Sequence, residues 1–183
     1  NGYDMIGPAT LDETGLKELK DAAKDRNLEF SCISCYAPLT LPEGKLGDEC
    51  LTRMFRTIDL AARLEIPWVR PIGYSEEPFT GIKLERKTAV QLMCERLQTV
   101  CDYAAKLNIG IQLEHSENCI PKDARECLEI KEKVGAPNLG IVFDVFNAVF
   151  EGNDPMKELE ILRDNIVTVH VKNARYRRMS QEV

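Results

Sequence analysis

Short apolar segments alternate with amphipathic ones along almost the whole chain. The apolar segments have the length of buried strands and lie at 3–7, 28–35, 68–73, 109–114, 139–144 and 165–171. Between them, apolar residues recur three and four positions apart, which predicts amphipathic helices at 14–26, 48–64, 84–107, 122–134 and 155–164. Gly135 is placed as a C-cap of the fourth helix, and Asp154-Pro155 predicts the start of the fifth. The order is therefore strand–helix repeated, without an interior linker.

Strands that are joined by helical crossovers run parallel, so this order predicts a parallel sheet covered by helices. Two architectures fit: a doubly wound open sheet, or part of a (β/α)8 barrel. A doubly wound nucleotide-binding sheet normally carries a glycine-rich phosphate turn after an early strand, and neither GxGxxG nor GxxxxGK[ST] occurs. The sequence thus favours an α/β fold of the parallel (β/α)8 TIM-barrel type. It would be an incomplete barrel of about six βα units in a single domain over 1–183.

The last three strands support the barrel, because their two faces differ. One parity is wholly apolar: Ile109, Ile111 and Leu113, then Leu139, Ile141 and Phe143, then Val167, Val169 and Val171. The other parity is mixed and partly polar: Gly110, Gln112 and Glu114, then Gly140, Val142 and Asp144, then Ile166, Thr168 and His170. An apolar face toward the helices and a mixed face toward the interior are typical of barrel strands.

Composition excludes some classes of function. With 44% hydrophobic residues, 30% charged residues and a net charge of −6, the chain resembles an ordinary globular protein with one sizeable core. The mild acidity argues against a nucleic-acid partner. No apolar stretch approaches the roughly 18–20 residues of a membrane span, and the N-terminus does not look like a signal peptide. We therefore expect no membrane partner and a cytoplasmic location.

The cysteines predict no disulfide framework, because their number, seven, is odd. Cys32 and Cys35 match CxxC, but they lie in a predicted strand, whereas a redox CxxC opens a helix that lowers the thiolate pKa. No second CxxC is present to complete a zinc site. We interpret the cysteines as small core residues.

Three chemically useful side chains share the polar parity of the last strands. Glu114, Asp144 and His170 each fall at or near the C-terminal end of a strand. In a parallel barrel they would point inward at the same rim, where active sites of this fold are built. Two carboxylates and an imidazole, without thiolate, favour Mn²⁺, Mg²⁺, Co²⁺ or Zn²⁺. The sequence therefore predicts a divalent-metal site.

The residues around these positions resemble a known family. LEHSEN, LGIVFDVFNAVFEGNDP and DNIVTVHVKNA are similar to segments of the sugar isomerase/epimerase superfamily of xylose isomerase-like barrels, as are ERLQTVCDYAAKLNIGIQLE and NGYDMIG. Asp144-x-x-Asn147 and His170-Val171-Lys172 match the family pattern in order and spacing.

The resemblance implies a divalent metal bound by Glu114, Asp144 and His170, and a small carbohydrate substrate whose carbonyl the metal polarises. Carboxylates would then move a proton through an enediol-like intermediate, with Glu114 both binding metal and taking part in catalysis. Asn147 and Lys172 are expected to bind substrate. His115 is a further candidate for substrate binding, although it lies on the opposite parity from Glu114.

The chain also departs from the family pattern. The first strand, the last strand and the fourth metal ligand, a Glu on that last strand, are missing from the match. We therefore expect a chain truncated at both ends, whose gap a second copy could close in a homo-oligomer. Keto-sugar epimerases of the family carry a second catalytic Glu six residues after the first, where this chain has Ile120. Their second strand ends in Ile-Glu, whereas this one has Ile6-Gly7.

Several functions remain open on the sequence. The leading hypothesis is a metal-dependent sugar isomerase or epimerase, and the nearest rival is a dehydratase or lyase on the same scaffold. An apurinic endonuclease with three zinc ions would need more histidines than the two present and a basic surface. A catalytically impaired barrel fragment that only binds a ligand or partner is the non-enzymatic alternative.

Overall fold

Five parallel strands lie side by side in chain order. The computed structural model describes residues 12–72, 84–116 and 119–173. Within them the strands are β1 (Ile33–Cys35), β2 (Trp68–Pro71), β3 (Gly110–Glu114), β4 (Leu139–Asp144) and β5 (Ile166–His170). A doubly wound sheet would reverse its strand order at a switch point, whereas each crossover here adds the next strand. The predicted barrel class is therefore confirmed as an incomplete barrel, and the predicted strand at 3–7 lies outside the described residues.

Helices cover one face of this sheet. They are α1 (Glu13–Asp25), α2 (Lys45–Arg63), α3 (Arg86–Ala105), α4 (Ala124–Val134), α5 (Val145–Phe150) and α6 (Pro155–Leu162), and a 3-10 turn (Arg163–Asn165) leads into β5. The caps follow the sequence: Asp154 accepts a hydrogen bond from the Met156 N–H, and Gly135 ends α4 with φ of 64°. The short helix α5 was not predicted. In the described ranges no helix is both long and apolar enough to cross a bilayer.

The core lies between the helices and the outer face of the sheet. Ile111 and Ile141 on the central strands are completely buried, as are Met54 on α2, Leu97 on α3 and Ile130 on α4. Burying a side chain of this size contributes about 1.5–3 kcal/mol to folding. The apolar parity predicted for β3 and β4 is therefore the parity that faces the helices.

The prediction for β5 is wrong at its start. A register shift places Ile166 opposite Ile141 and Thr168 opposite Val142, so Val167 becomes an extra residue in a bulge. Ile166 consequently packs against the core, although it was assigned to the inner face. A Cβ added to Gly140 would meet the Val167 side chain at 2.5 Å, so Val167 lies over the glycine. Simple alternation failed because a bulge reverses the parity of the residues before it.

The rest of the apolar parity of β5 faces outward but is not covered. Val169 is 52% exposed and Val171, just past the strand, is 83% exposed. Within the described ranges no helix follows β5 to pack on these valines. The central strands are therefore covered as barrel strands are, whereas this edge is open.

Candidate metal centre

The ends of β3, β4 and β5 bring the three predicted ligand residues together. Parallel pairing places Asp144 directly opposite His170, and Glu114 opposite Val142 on the same face as Asp144. One ligand atom from each of the three residues lies within 4.8 Å of the others. The inner parity of adjacent strands thus delivers the side chains to one point at the C-terminal rim.

Asp144 uses its two carboxylate oxygens for different purposes. Its Oδ1 accepts hydrogen bonds from the backbone N–H groups of Phe146 (2.9 Å) and Asn147 (3.2 Å), which caps the N-terminus of α5. Its Oδ2 is buried and accepts no hydrogen bond of good geometry from the described residues. This oxygen is directed at the site, where His170 Nδ1 lies 3.6 Å away.

Electrostatics keep Asp144 ionised. Burial alone raises its pKa, but the adjacent Lys172 ammonium and the N–H groups of Asn147 and Phe146 outweigh burial and hold the pKa below its ordinary value of 3.8. The Lys172 Nζ lies 2.5 Å from Asp144 Oδ2. The carboxylate is therefore available as an anionic ligand at neutral pH.

Glu114 is surrounded by groups that fix both of its oxygens. His170 Nδ1 lies 3.0 Å from Oε1, and Asn147 Nδ2 donates to the same oxygen at 3.4 Å. The Arg70 guanidinium donates from Nη1 to Oε2. Oε1 therefore faces the other two ligand residues, whereas Oε2 faces β2.

Arg70 is the residue of this site that the sequence analysis missed. It lies on β2, two positions after Trp68, whose ring covers Gly110 on the inner face. A signal was present, since WVRPIG places a charged residue inside an otherwise apolar strand. Its side chain is only 17% exposed and also donates from Nη2 to Ser34 Oγ at 2.9 Å.

Asn147 links the site to the backbone of β3. Its Nδ2 donates to the His115 carbonyl oxygen at 2.8 Å, and its Oδ1 accepts from Lys172 Nζ at 3.2 Å. Asn147 and Lys172 line a cavity of about 400 Å³ together with Arg70, Glu114 and His170. The positions predicted for Asn147 and Lys172 are therefore at a site that a small molecule could enter.

His115 points away from this cavity. Its side chain is completely buried, and its Nε2 lies 3.1 Å from Oε2 of Glu158 on α6. The other Glu158 oxygen accepts from Asn153 Nδ2 at 2.8 Å. The reason is the alternation of a strand: with Glu114 directed inward, the next residue is directed at the helices. The geometry gives no support to the substrate contact that was predicted for His115.

The donor set fits a divalent cation. Two carboxylates and an imidazole converge, and the buried Asp144 Oδ2 lacks a well-formed hydrogen bond among the described residues. Oxygen and nitrogen donors of this kind suit Mg²⁺, Mn²⁺, Co²⁺ or Zn²⁺. The fold and the site together define a class: a parallel βα-barrel protein with a metal-type cluster at its C-terminal rim.

Comparisons with known proteins agree with this class. The family model for the xylose isomerase-like TIM barrel matches residues 1–182, so the chain belongs to that family. A 3-dehydroshikimate dehydratase from Bacillus anthracis is 26% identical over 161 residues, which are 88% of this chain and 55% of that protein.

Solved structures show the same fold. A D-psicose 3-epimerase crystallised with D-fructose superposes with a TM-score of 0.79 at 17% identity, covering 90% of this chain and 59% of the epimerase. A xylose isomerase-like barrel from Mycobacterium smegmatis, in complex with magnesium, gives a TM-score of 0.72 at 20% identity, covering 90% of this chain and 58% of that one. The chain thus spans a little over half the length of these relatives.

Proposed function

We propose that the protein is a metal-dependent isomerase or epimerase that moves a proton on the carbon next to the carbonyl of a small, sugar-like substrate. One observation carries the proposal: Glu114, Asp144 and His170 converge within 4.8 Å at the barrel rim. This cluster borders a cavity of about 400 Å³, to which Asn147 and Lys172 also contribute.

Each residue of the site has a role in this chemistry. A divalent ion held by Glu114, Asp144 and His170 would polarise the substrate carbonyl. Glu114 Oε1 faces that ligand cluster, and Oε2 accepts from Arg70. Oε2 would therefore take the substrate proton in exchange for its hydrogen bond from Arg70. Lys172 lies beside Asp144, and its ammonium donates to the carbonyl oxygen as negative charge develops there.

A dehydratase is the second candidate, and Ile120 favours it. Ile120 occupies the position where the resemblance expects a second catalytic carboxylate, and its side chain is completely buried. An epimerase needs a group on the opposite face of the substrate to return the proton, whereas an elimination needs one base and a departing hydroxyl group. The 26% identity to a dehydratase supports the same alternative.

Hydrogen exchange from D₂O tests the proposal. The protein is loaded with Mn²⁺ and incubated with D-fructose, D-tagatose, D-psicose and the keto-sugar acid D-fructuronate, and ¹H NMR follows the C1 and C3 positions. Isomerase or epimerase chemistry predicts metal-dependent deuterium incorporation with interconversion of sugars. Loss of water from a polyhydroxylated keto acid, without exchange into the sugars, would favour the dehydratase. Tight metal binding without either reaction would leave only a binding module.

The matched variants are Asp144→Asn and Asp164→Asn. The first retains an oxygen that can cap α5 but removes a charged ligand, and the second makes the same change at an exposed residue next to Arg163. We expect Asp144→Asn to weaken Mn²⁺ binding by at least about a hundredfold, since changes to groups that merely orient ligands already weaken it 10- to 100-fold. Equal metal affinity of the two variants would contradict the proposed site.

A further inference from the structure

We infer that the substrate is an anion, a sugar-like acid whose carboxylate is bound by Arg70. The inference rests on the proposed function only in that it concerns the same cavity. It specifies the class of substrate, which neither the fold nor the ligand cluster defines.

The first step is a count of charges. Among the described residues, Arg70 and Lys172 contribute two positive charges to the site, and Glu114 and Asp144 contribute two negative ones. The described part of the site is therefore neutral without metal, and a divalent ion brings that part to +2. Even a fourth carboxylate ligand, as the resemblance implies, would leave an excess of positive charge. Such an excess at a partly buried site favours an anionic ligand.

The second step is a competition for the same oxygens. Arg70 donates to Glu114 Oε2, and Lys172 lies 2.5 Å from Asp144 Oδ2, so each carboxylate needed for the metal already has a cationic partner. A divalent ion draws the negative charge of both carboxylates toward itself. Both cations are then left next to a like charge. This is unfavourable for Arg70 in particular, because its side chain is only 17% exposed, unless an anion enters.

The third step assigns the anion to Arg70. Its guanidinium is oriented by two partners, Glu114 and Ser34 Oγ, and its side chain is mostly buried at the wall of the cavity. Lys172 is about half exposed, and it lies on the other side of the ligand cluster, just past β5. A planar, pre-oriented guanidinium matches the two oxygens of a carboxylate, whereas an ammonium acts as a point charge.

A carboxylate fits the site better than a phosphate. Helix N-termini bind phosphate through free backbone N–H groups, but the Phe146 and Asn147 N–H groups at the start of α5 already donate to Asp144 Oδ1. The residues that border the cavity in the described ranges include no glycine-rich turn. Arg70 therefore supplies the principal anion-binding group.

Calorimetry with a matched pair of probes tests the inference. Mg²⁺-loaded protein is titrated with D-gluconate and with D-glucitol, which has the same number of carbons and no carboxylate, while D-glucitol 6-phosphate serves as the phosphate arm. We expect gluconate to bind at least about tenfold more tightly than glucitol, as a charge-assisted hydrogen bond predicts. Equal affinities for gluconate and glucitol, or tighter binding of the phosphate than of gluconate, would overturn the inference.

Variants of Arg70 separate recognition from a structural role. Arg70→Gln should abolish the preference for gluconate, whereas Arg163→Gln, at an exposed arginine, should leave it unchanged. Because Arg70 competes with the metal for Glu114, Arg70→Gln should also tighten Mg²⁺ binding severalfold, and a purely structural role predicts the opposite. If Arg70→Gln does not fold, Arg70→Lys keeps the charge but loses the planar fork, and should reduce the preference.

The outcomes for the inference and for the proposed function are distinguishable. The gluconate preference is measured without turnover, so it can hold in a protein that exchanges deuterium into neither the neutral sugars nor D-fructuronate, and that result would refute only the proposed function. Conversely, metal-dependent exchange into neutral sugars, with equal binding of gluconate and glucitol, would refute only the inference.

Discussion

Glu114 and His115 are neighbours in the chain, yet they lie in opposite environments. Glu114 faces the cavity at the open end of the barrel, where it contacts His170, Asn147 and Arg70. His115 is completely buried under α6, where its partner is Glu158. A polar residue at a strand end thus serves chemistry on one side of the sheet and packing on the other.

The two sides are mechanically connected. Asn147 donates one hydrogen bond to the backbone carbonyl of His115 and another to the Glu114 carboxylate. The buried pair of His115 and Glu158 joins the end of β3 to α6. The end of β3 is thus fixed on the face covered by α6, while the Glu114 side chain on the opposite face lines the cavity.

Disrupting the buried contact between His115 and Glu158 should have the largest effect on stability. Glu158→Ala leaves His115 buried without its partner, which we expect to lower the free energy of unfolding by about 1–3 kcal/mol, the cost of an unpaired buried polar group. Urea denaturation measures this, with Glu160→Ala on the exposed face of α6 as the control. The double variant His115→Leu/Glu158→Leu should recover part of the loss, because two apolar side chains leave no unpaired polar group. A loss from Glu158→Ala as small as that of the control would show that the pair is not coupled.

Two asparagines test the division into a cavity side and a helix-covered side, because one lies on each side of the sheet. Asn147→Ala removes contacts to Glu114, to Lys172 and to the His115 carbonyl. We therefore expect metal affinity to fall about 10- to 100-fold, with a loss of stability of about 1 kcal/mol for the hydrogen bond to the backbone. Asn153→Ala removes the donor to Glu158 on the buried side, so it should lower stability and leave metal affinity unchanged. Metal titration and urea denaturation of both variants measure these two effects separately. The same pattern in both variants would contradict the division into two sides.

Lys172 gives the open side a specific pH dependence in the metal-free protein. The folded-state pKa of Asp144 is lowered below 3.8, so the stability it contributes is present above that pH and is lost as pH falls through the folded-state pKa. Lys172→Met should therefore lower stability by about 1 kcal/mol near neutrality, a value reduced for partial exposure, and by nearly nothing in strong acid. Urea denaturation across pH measures the difference, with Lys122→Met as control. A difference that does not shrink with acidification would contradict this linkage.

The smallest expected effect concerns the reactivity of two cysteine thiols, one on each side of the sheet. Burial raises the pKa of Cys32 to about 11, although Arg70 opposes the change, so its thiolate fraction at neutral pH is about a hundredfold below that of an ordinary thiol. Burial, followed by the charge of Glu158, also raises the pKa of Cys127 well above its ordinary value. Native alkylation with iodoacetamide, read by mass spectrometry, should therefore be slow at Cys32, rise with pH, and reach Cys127 only on unfolding. Rapid alkylation of Cys32 at neutral pH would restore the redox interpretation of its CxxC motif.

Much of the fold and of the ligand cluster could be predicted because both depend on local rules. Alternation along β3 and β4 identifies the face that carries Glu114 and Asp144, and parallel pairing brings these strand ends to one rim. The prediction failed where a single residue disturbed the local rule. The bulge at Val167 reversed the parity of the start of β5, and the short helix α5 is too brief for an amphipathic period to reveal.

The class of fold, the shared rim of Glu114, Asp144 and His170, and the direction of His115 all follow from the sequence, because each depends on a repeat of two or on the spacing of apolar residues. Only the tertiary structure showed that Arg70 contacts Glu114 and that His115 contacts Glu158. These partners are 44 and 43 residues apart, and no periodic pattern spans a crossover. The first contact is set by the pairing of β2 with β3 and the second by the packing of α6 on the sheet, which is why the charge of the cavity became visible only in the folded chain.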